Sequence, residues 1–234
     1  MSDVFDIVDF HTHILPGADH GSSSLKTSAF QLKEAELYGV SRIIATPHFY
    51  PTVHSVDSFI ERRRTAYEKL SELSKSAQIR LGAEVLLCNG IEDLPSLDKL
   101  FIEGTRTLLL ELPFADFQSA YCDSVYNLVG EGVEVILAHA DRYPAENIEK
   151  LVECGARLQL NSDSLDTLFR RNKLYEWLDR GLVVGLGSDI HGEDKKAYKH
   201  FAAAKNKIKD YLVTIKKESD RIFSSVKNKG AVSV

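Results

Sequence analysis

Residues 7–21 read IVDFHTHILPGADHG, a short apolar run that ends in two histidines and a turn marked by Pro16 and Gly17. Residues i and i+2 of a strand point to the same face, so we expect His11 and His13 to present two imidazoles to one point. Imidazole is a common metal ligand near neutral pH. A lone His-x-His is better explained by one core ring and one solvated ring. The recurrence of such groups along the chain favours metal binding.

The composition is that of one globular domain, predicted to span residues 1–234. Its 44% hydrophobic and 27% charged residues are typical of a chain that builds a real core. The formal net charge of -5 argues against a nucleic-acid-binding face, so no nucleic-acid partner is expected. No apolar run approaches the roughly 20 residues that span a bilayer, and the acidic start MSDVFD lacks the basic region of a signal peptide. We therefore predict a cytoplasmic protein with no membrane span.

Cys88, Cys122 and Cys154 have no metal-type spacing and are interpreted as reduced, buried thiols. None is followed by arginine at the sixth position, so the sequence has no Cys-x5-Arg phosphatase loop. A cysteine nucleophile is therefore not expected.

Short apolar runs alternate with longer amphipathic segments, which favours a parallel sheet with helical crossovers. The predicted strands are Ile7–His13, Arg42–Thr46, Ile79–Leu86, Thr107–Leu112, Val133–His139, Arg157–Asn161 and Val183–Ser188. The predicted helices are Ser24–Tyr38, Val56–Lys75, Asp116–Glu131, Ala145–Glu153, Leu165–Arg180, Asp194–Lys209 and Asp210–Lys227. Helix C-cap glycines are predicted at Gly39, Gly132, Gly155 and Gly181. This alternation predicts an α/β barrel that is closed or nearly closed.

In such a barrel, chemistry gathers at the carboxyl ends of the strands. Six of the seven predicted strands deliver a His, Asp or Glu there. The candidate metal ligands are His11, His13, His20, His48, Glu84, Glu111, His139, Asp189 and His191. Each has an ordinary explanation by itself: an edge charge, a core histidine or, for Asp189, a helix N-cap. Coincidence explains poorly why all of them fall at one end of the barrel.

Nine ligands exceed what one divalent ion accepts, so the count indicates two or three ions that share a bridging carboxylate. Imidazole and carboxylate ligands without thiolate suit manganese, iron or zinc. Clustered ions of this kind clamp the oxygens of a phosphoester and supply hydroxide at neutral pH. The sequence thus predicts phosphoester hydrolysis by a metal-activated hydroxide.

Arg142 follows the fifth predicted strand and has the planar fork that holds phosphate, although a surface salt bridge with Asp141 or a helix residue would also explain it. We assign catalytic roles to Arg142, His48 and His191. Arg142 would neutralise developing charge, and a nearby histidine or a metal-bound water would protonate the leaving oxygen.

The order of these motifs resembles the PHP (polymerase and histidinol phosphatase) superfamily over essentially the whole chain. The resemblance rests on His11-Thr12-His13, Thr46-Pro47-His48, the lone Glu84 and Ser188-Asp189-Ile190-His191. It implies a distorted (β/α)7 barrel, a PHP-type relative of the TIM barrel, with a trinuclear metal site. Residues 9–17, 44–48, 82–84 and 138–143 look like the CpsB/YwqE type of bacterial tyrosine-protein phosphatase, which acts in capsule and exopolysaccharide regulation.

The resemblance also implies a ligand set for each ion. One ion would take His11, His13, Glu84 and Asp189. A second would share Glu84 and add Glu111 and His139, and a third would use His20, His48 and His191.

The chain departs from the family pattern at two places. His20 stands where the first loop usually carries aspartate, which is expected to preserve metal binding and to alter affinity or metal choice. The family pattern has a second phosphate-facing arginine shortly after the last histidine. Residues 192–196, GEDKK, offer only the lysines Lys195 and Lys196 there. Lysine is a point charge without the bidentate fork.

The predicted function is therefore a metal-dependent protein-tyrosine phosphatase, with a phosphorylated protein as partner and a bacterial tyrosine kinase as a further expected partner. The alternatives are a phosphatase of small monoesters such as histidinol phosphate, a nuclease-like phosphodiesterase, and a non-catalytic partner module. The net charge counts against a nuclease. A non-catalytic module would be expected to have lost ligands, and all nine positions hold ligand-competent residues.

Overall fold

The protein is described by a computed structural model that covers residues 6–73, 77–114, 116–166 and 171–225. Within these ranges nine strands form one parallel sheet: β1 Asp9–Thr12, β2 Arg42–Ala45, β3 His48–Phe49, β4 Gln78–Leu81, β5 Glu84–Leu86, β6 Thr107–Glu111, β7 Glu134–Leu137, β8 Arg157–Asn161 and β9 Val183–Gly187. The α-helices are α1 Leu25–Leu37, α2 Val56–Ser71, α3 Ala120–Gly130, α4 Ala145–Glu153, α5 Arg171–Asp179, α6 Ala197–Lys207 and α7 Leu212–Ser224.

The nine strands occupy seven positions around a closed barrel. Two of these positions are each formed by two short consecutive strands, β2 with β3 and β4 with β5. The neighbour order is β3-β5-β6-β7-β8-β9-β1-β2-β4. Only Thr46 and Pro47 separate β2 from β3, and only Gly82 and Ala83 separate β4 from β5. The pairing keeps its register across both breaks, since Ala45 pairs with Leu81 and His48 with Glu84. The two ends of the sheet are thus joined along the chain, which confirms the predicted distorted (β/α)7 barrel.

Each interruption has a physical cause, local in the first case and tertiary in the second. Pro47 has no N–H to give to the ladder, while its carbonyl still accepts from the Glu84 N–H at 3.1 Å. The Gly82 carbonyl leaves the sheet and accepts a 2.7 Å hydrogen bond from the buried Arg63 guanidinium on α2. The prediction of one continuous strand over Ile79–Leu86 was therefore wrong, and β3 was not foreseen.

Most other predicted elements are confirmed, with ends that shift by a few residues. β8 and α4 match their predicted bounds, and the four glycines predicted at helix ends all have φ between 66 and 101°. α2 ends before the predicted residue and α3 begins four residues later than predicted. The helices predicted over 56–75, 165–180 and 210–227 extend in part onto positions outside the described residues. The three cysteines are free, as expected, but half-buried rather than buried.

Two apolar layers hold the barrel. The larger lies between sheet and helices and includes Ile43, Leu110 and Phe201. The smaller fills the barrel interior with residues such as Phe10 and Leu109, and Phe223 from α7 packs into it. No helix in the described ranges combines the length and the apolar character needed to cross a bilayer.

A register shift places the histidine motif. The pairing of β1 with β2 changes between Asp9 and Thr12, which is the mark of a β-bulge. Phe10, like Val8 two residues before it, belongs to the interior core, and the bulge lets His11 next to it face the cluster of polar side chains described below. A regular strand would send these neighbours to opposite faces.

Candidate metal centre

Eight of the nine predicted ligands meet at the carboxyl ends of the strands. Their nitrogen and oxygen atoms form four overlapping groups, each with all ligand atoms within 4.8 Å of one another. The groups are His13/His48/His191, His11/His13/Asp189, His11/Glu84/His139 and His48/Glu84/Glu111. The overlap indicates one continuous polynuclear site.

Glu84, at the start of β5 and fully buried, lies at the centre of this site. Its Oε2 is 3.2 Å from the Nε2 atoms of both His11 and His13 and 2.9 Å from Nδ1 of His48. Its Oε1 is 2.7 Å from Nε2 of His139. A carboxylate with different imidazoles on its two oxygens has the arrangement of a bridging ligand.

His11 in β1 and His13 just after it are each held in one tautomer by a hydrogen bond at Nδ1. Nδ1–H of His11 donates to Oε1 of Gln159 at 3.0 Å, and Nδ1–H of His13 donates to Oδ2 of Asp19 at 2.6 Å. The proton of each neutral ring is thereby placed on Nδ1, so the Nε2 lone pairs point into the site. These two Nε2 atoms are only 3.0 Å apart.

This donor set fits divalent cations. Two Nε2 lone pairs facing each other and a carboxylate oxygen are all acceptors, and only a positive species between them satisfies all three. Oε2 of Glu84 and Nδ1 of His48 lie 2.9 Å apart without the geometry of a hydrogen bond, and both are buried with no other hydrogen-bond partner among the described residues. Buried orphaned acceptors are costly unless a ligand binds them.

The electrostatics favour positive charge at the same point. Burial acts to lower the pKa of His13, but hydrogen bonds with Asp189, Asp19 and Glu84 outweigh it and raise that pKa well above 6.5. Burial and the negative charge of Glu84 raise the pKa of Glu111 to about 7. Carboxylates crowded in this way repel one another and attract cations.

His20 lies at the exposed edge of the site and belongs to none of the four groups. Its ring nevertheless stacks on His48, with centroids 4.7 Å apart, and lies 4.9 Å from the ring of His191. The structure therefore brings His20 close to the two histidines with which it was predicted to bind an ion. Its role as a ligand stays a prediction.

Backbone conformation is unusual at two site residues. Among the described non-glycine residues, only Ser96, His139 and Asp189 have positive φ, at 63, 32 and 49°. Such conformations cost free energy for residues with a Cβ and cluster at functional sites. Here they turn the side chains of His139 and Asp189 inward just after β7 and β9 end.

Three residues that support the ligands were not predicted from the sequence. Asp19 orients His13. On β8, the one predicted strand without a candidate ligand, Gln159 accepts from His11 and from the His139 N–H at 2.7 Å. Asn161, two residues along, donates to Oδ2 of Asp189 at 3.0 Å and accepts from Nε2 of Gln159 at 3.1 Å. The i, i+2 spacing of two amides at a strand end was the available clue.

Gly187 makes room for this support. A Cβ on Gly187 would lie 2.5 Å from Nε2 of Gln159 and 2.7 Å from Cβ of His11. Only glycine therefore allows β9 to approach the supporting amide so closely.

Arg142 lies at the mouth of the site. Its Nη2 donates to Oδ2 of Asp189 at 2.5 Å, and its side chain remains 39% exposed. It thus contacts a candidate metal ligand. Lys195 and Lys196 are exposed, and their part in phosphate binding stays a prediction. Arg62 of α2, which no motif identified, lines a cavity of about 320 Å³ with His20 and His48.

Fold and site together define a class: an α/β-barrel protein with a buried centre of histidines and carboxylates suited to divalent metals. The family described as "Capsular polysaccharide synthesis, CpsB/CapC" matches residues 7–227, and the chain belongs to it. CapC of Staphylococcus aureus is 31% identical over 201 residues, covering 79% of this chain and 77% of the relative. The tyrosine-protein phosphatase YwqE of Bacillus subtilis is 30% identical over 199 residues, with the same coverage.

The tyrosine-protein phosphatase CpsB of Streptococcus pneumoniae is 26% identical over 210 residues, covering 81% of this chain and 85% of the relative. Solved structures agree on the fold. A chain from crystal structures of YwqE and CpsB, described as metal-dependent tyrosine phosphatases, superposes with a TM-score of 0.76 at 21% identity over 94% of this chain and 96% of that one. A TatD family hydrolase of Entamoeba histolytica gives 0.60 at 11% identity, covering 94% and 99%.

Proposed function

We propose that this protein is a metal-dependent phosphomonoester hydrolase that removes phosphate from phosphotyrosine in proteins, in the control of capsular or exopolysaccharide synthesis. The observation that carries the proposal is the contact of Arg142 with Asp189, which holds a guanidinium of a shape suited to phosphate at the mouth of the candidate metal centre. The names of the relatives support the choice of phosphotyrosine.

The residues that would hold two or three divalent ions are those of the four overlapping groups. Glu84 would be shared by two ions, one held also by His11, His13 and Asp189 and the other by Glu111 and His139. His48 and His191, with His20 beside them, would hold a third ion. Manganese, iron or zinc in these places would supply positive charge to phosphoryl oxygens and lower the pKa of water.

The chain's own residues orient the reaction. Arg142 offers paired N–H donors to two phosphate oxygens and neutralises charge that grows on them. The side chains of His11, His13 and Glu84 are fully buried, whereas those of Arg142 and His191 are 39% and 33% exposed. The ester therefore enters from the side of Arg142 and His191.

A tyrosyl leaving group needs little acid assistance, because its pKa of about 10 is low for an alcohol oxygen. Nδ1 of His191 is 2.9 Å from the Asp189 carbonyl oxygen, which orients its ring at the edge of the site. The transfer of a proton from His48 or His191 to the leaving oxygen stays a prediction.

The test measures phosphate release by manganese-loaded protein from a phosphotyrosine peptide and from histidinol phosphate in parallel. We expect preference for the peptide, and loss of turnover in His11→Ala and Asp189→Ala while circular dichroism stays that of the wild type. His200→Ala, at a histidine on α6 outside the site, serves as the matched control.

Each other outcome identifies a different function. Preference for histidinol phosphate would replace the protein substrate with a small monoester. Cleavage of short oligonucleotides would indicate a phosphodiesterase. Inactivity on all substrates with metals bound would favour a non-catalytic partner module.

The setting of this activity is also proposed. We place the protein in the cytoplasm, where a bacterial tyrosine kinase would supply its substrates, and we treat residues 1–234 as one domain. The single ring of strands with one continuous outer core supports one domain.

A further inference from the structure

An aromatic cleft opens beside the candidate metal centre. Its cavity is about 260 Å³ and is lined by Phe114, Phe117, Tyr143, Arg142 and Leu112 among others. Pockets for drug-sized ligands are larger, roughly 300–1,000 Å³. The cleft is therefore of a size for one ring and not for a long ligand.

The two segments that form the walls of the cleft directly follow candidate metal ligands in the sequence. One wall follows Glu111, the last residue of β6, and the other follows His139 after β7. The Tyr143 hydroxyl donates to the Leu112 carbonyl at 2.9 Å and ties the two walls together. Arg142 lines the cleft and also contacts Asp189, so it joins the cleft to the candidate metal centre.

A row of rings leads out from the centre. The His139 and Tyr143 centroids are 5.7 Å apart, and those of Tyr143 and Phe114 are 5.9 Å apart. Both distances lie in the roughly 4.5–7 Å range of favourable aromatic pairs. Tyr143 is 6% exposed, but Phe114 is 81% exposed, so the row ends in a ring with an uncovered face.

Phe117 gives the cleft a fixed floor. Its ring meets Tyr121 edge-on at 5.8 Å, and the Lys150 ammonium lies 5.0 Å from its centroid. Phe114 by contrast has its ring largely in water, so replacing it removes contact area for a ligand and little core packing.

We infer that this cleft is the subsite for the phenyl ring of the substrate, and that Phe114 makes the enzyme prefer aryl over alkyl phosphates. The inference rests on the proposed function, because it assumes that a phosphate is held by Arg142. An ester group on that phosphate would then extend between Phe114, Phe117 and Tyr143. Ring stacking there strengthens the binding of an ester with an aromatic leaving group. A serine or alkyl ester has no ring to stack and does not gain this binding free energy.

The test compares the binding of two non-hydrolysable compounds, phenylphosphonate and propylphosphonate, to manganese-loaded protein by titration calorimetry. We expect about tenfold tighter binding of the phenyl compound by the wild type, the size of one aromatic stacking contact. Phe114→Ala should bring the ratio close to one, and Phe114→Tyr should restore it. Tyr126→Ala, at an exposed ring on α3, should keep the wild-type ratio.

Two results overturn the inference: a wild type without preference for the phenyl compound, or an unchanged ratio in Phe114→Ala. Hydrolysis of a phosphotyrosine peptide is measured on the same wild-type protein. An aryl preference that Phe114→Ala removes, without peptide hydrolysis, would refute the proposed function and leave the cleft. Peptide hydrolysis with an unchanged ratio would refute the cleft alone.

Discussion

Gln159 joins two candidate metal ligands without being one, and its replacement by leucine tests whether the ligands depend on support from β8. The side chain is fully buried. Its Oε1 accepts from Nδ1–H of His11 at 3.0 Å and from the His139 N–H at 2.7 Å, and its Nε2 donates to Oδ1 of Asn161 at 3.1 Å.

The expected cost follows from these contacts. Leucine fills a similar volume but leaves two buried donors, on His11 and on the His139 backbone, without their acceptor. Each such loss costs about 1–3 kcal/mol, so the free energy of unfolding of the metal-free protein should fall by roughly 2–5 kcal/mol. Without the acceptor, His11 is also free to change tautomer and turn its lone pair away. Loss of such ligand support typically weakens metal binding by about 10–100-fold.

The assay has two readouts that need no turnover: calorimetric titration with manganese and urea denaturation in EDTA. Gln78→Leu, at an exposed glutamine of β4, controls for the substitution itself. Metal affinity within about threefold of the wild type in Gln159→Leu, with a stability loss under about 0.5 kcal/mol, would refute the idea that Gln159 holds His11 and His139.

Three further results are expected. Arg142→Lys keeps the charge but removes the fork, so KM for a phosphotyrosine peptide should rise at least about tenfold; an unchanged KM would exclude Arg142 from phosphate binding. Removal of divalent ions with EDTA should lower the melting temperature by about 5–10 °C, since saturating ligand contributes roughly 3 kcal/mol; an equal melting temperature would argue against metal in this site. At Glu149 burial acts to raise the pKa, but hydrogen bonds from Lys173, Trp177 and Arg180 lower it from 4.5 to about 2. Its stabilisation is complete above pH 4.5 and lost as the pH falls through about 2. Glu149→Gln should therefore cost about 1 kcal/mol at pH 7 after allowance for solvent screening, and the difference from wild type in denaturation midpoints should vanish near pH 2; a constant difference would exclude the charge as its cause.

Local sequence determined much of this protein. Apolar runs that alternate with amphipathic segments, and glycines between them, predicted the parallel barrel. The bounds of Arg157–Asn161 and Ala145–Glu153 were predicted to the residue. Most candidate ligands were also predictable, because parallel strands bring their carboxyl ends together and six apolar runs each end in or just before a His, Asp or Glu.

Tertiary structure decided what depends on partners far along the chain. The break between Leu81 and Glu84 depends on Arg63, which lies on α2 and donates a hydrogen bond to the Gly82 carbonyl. Gln159 supports His11 across a separation of 148 residues. The aromatic cleft forms only where the loops after β6 and β7 meet. Periodicity and capping are properties of neighbours and can be read from the sequence, whereas a hydrogen bond between distant side chains leaves no local pattern.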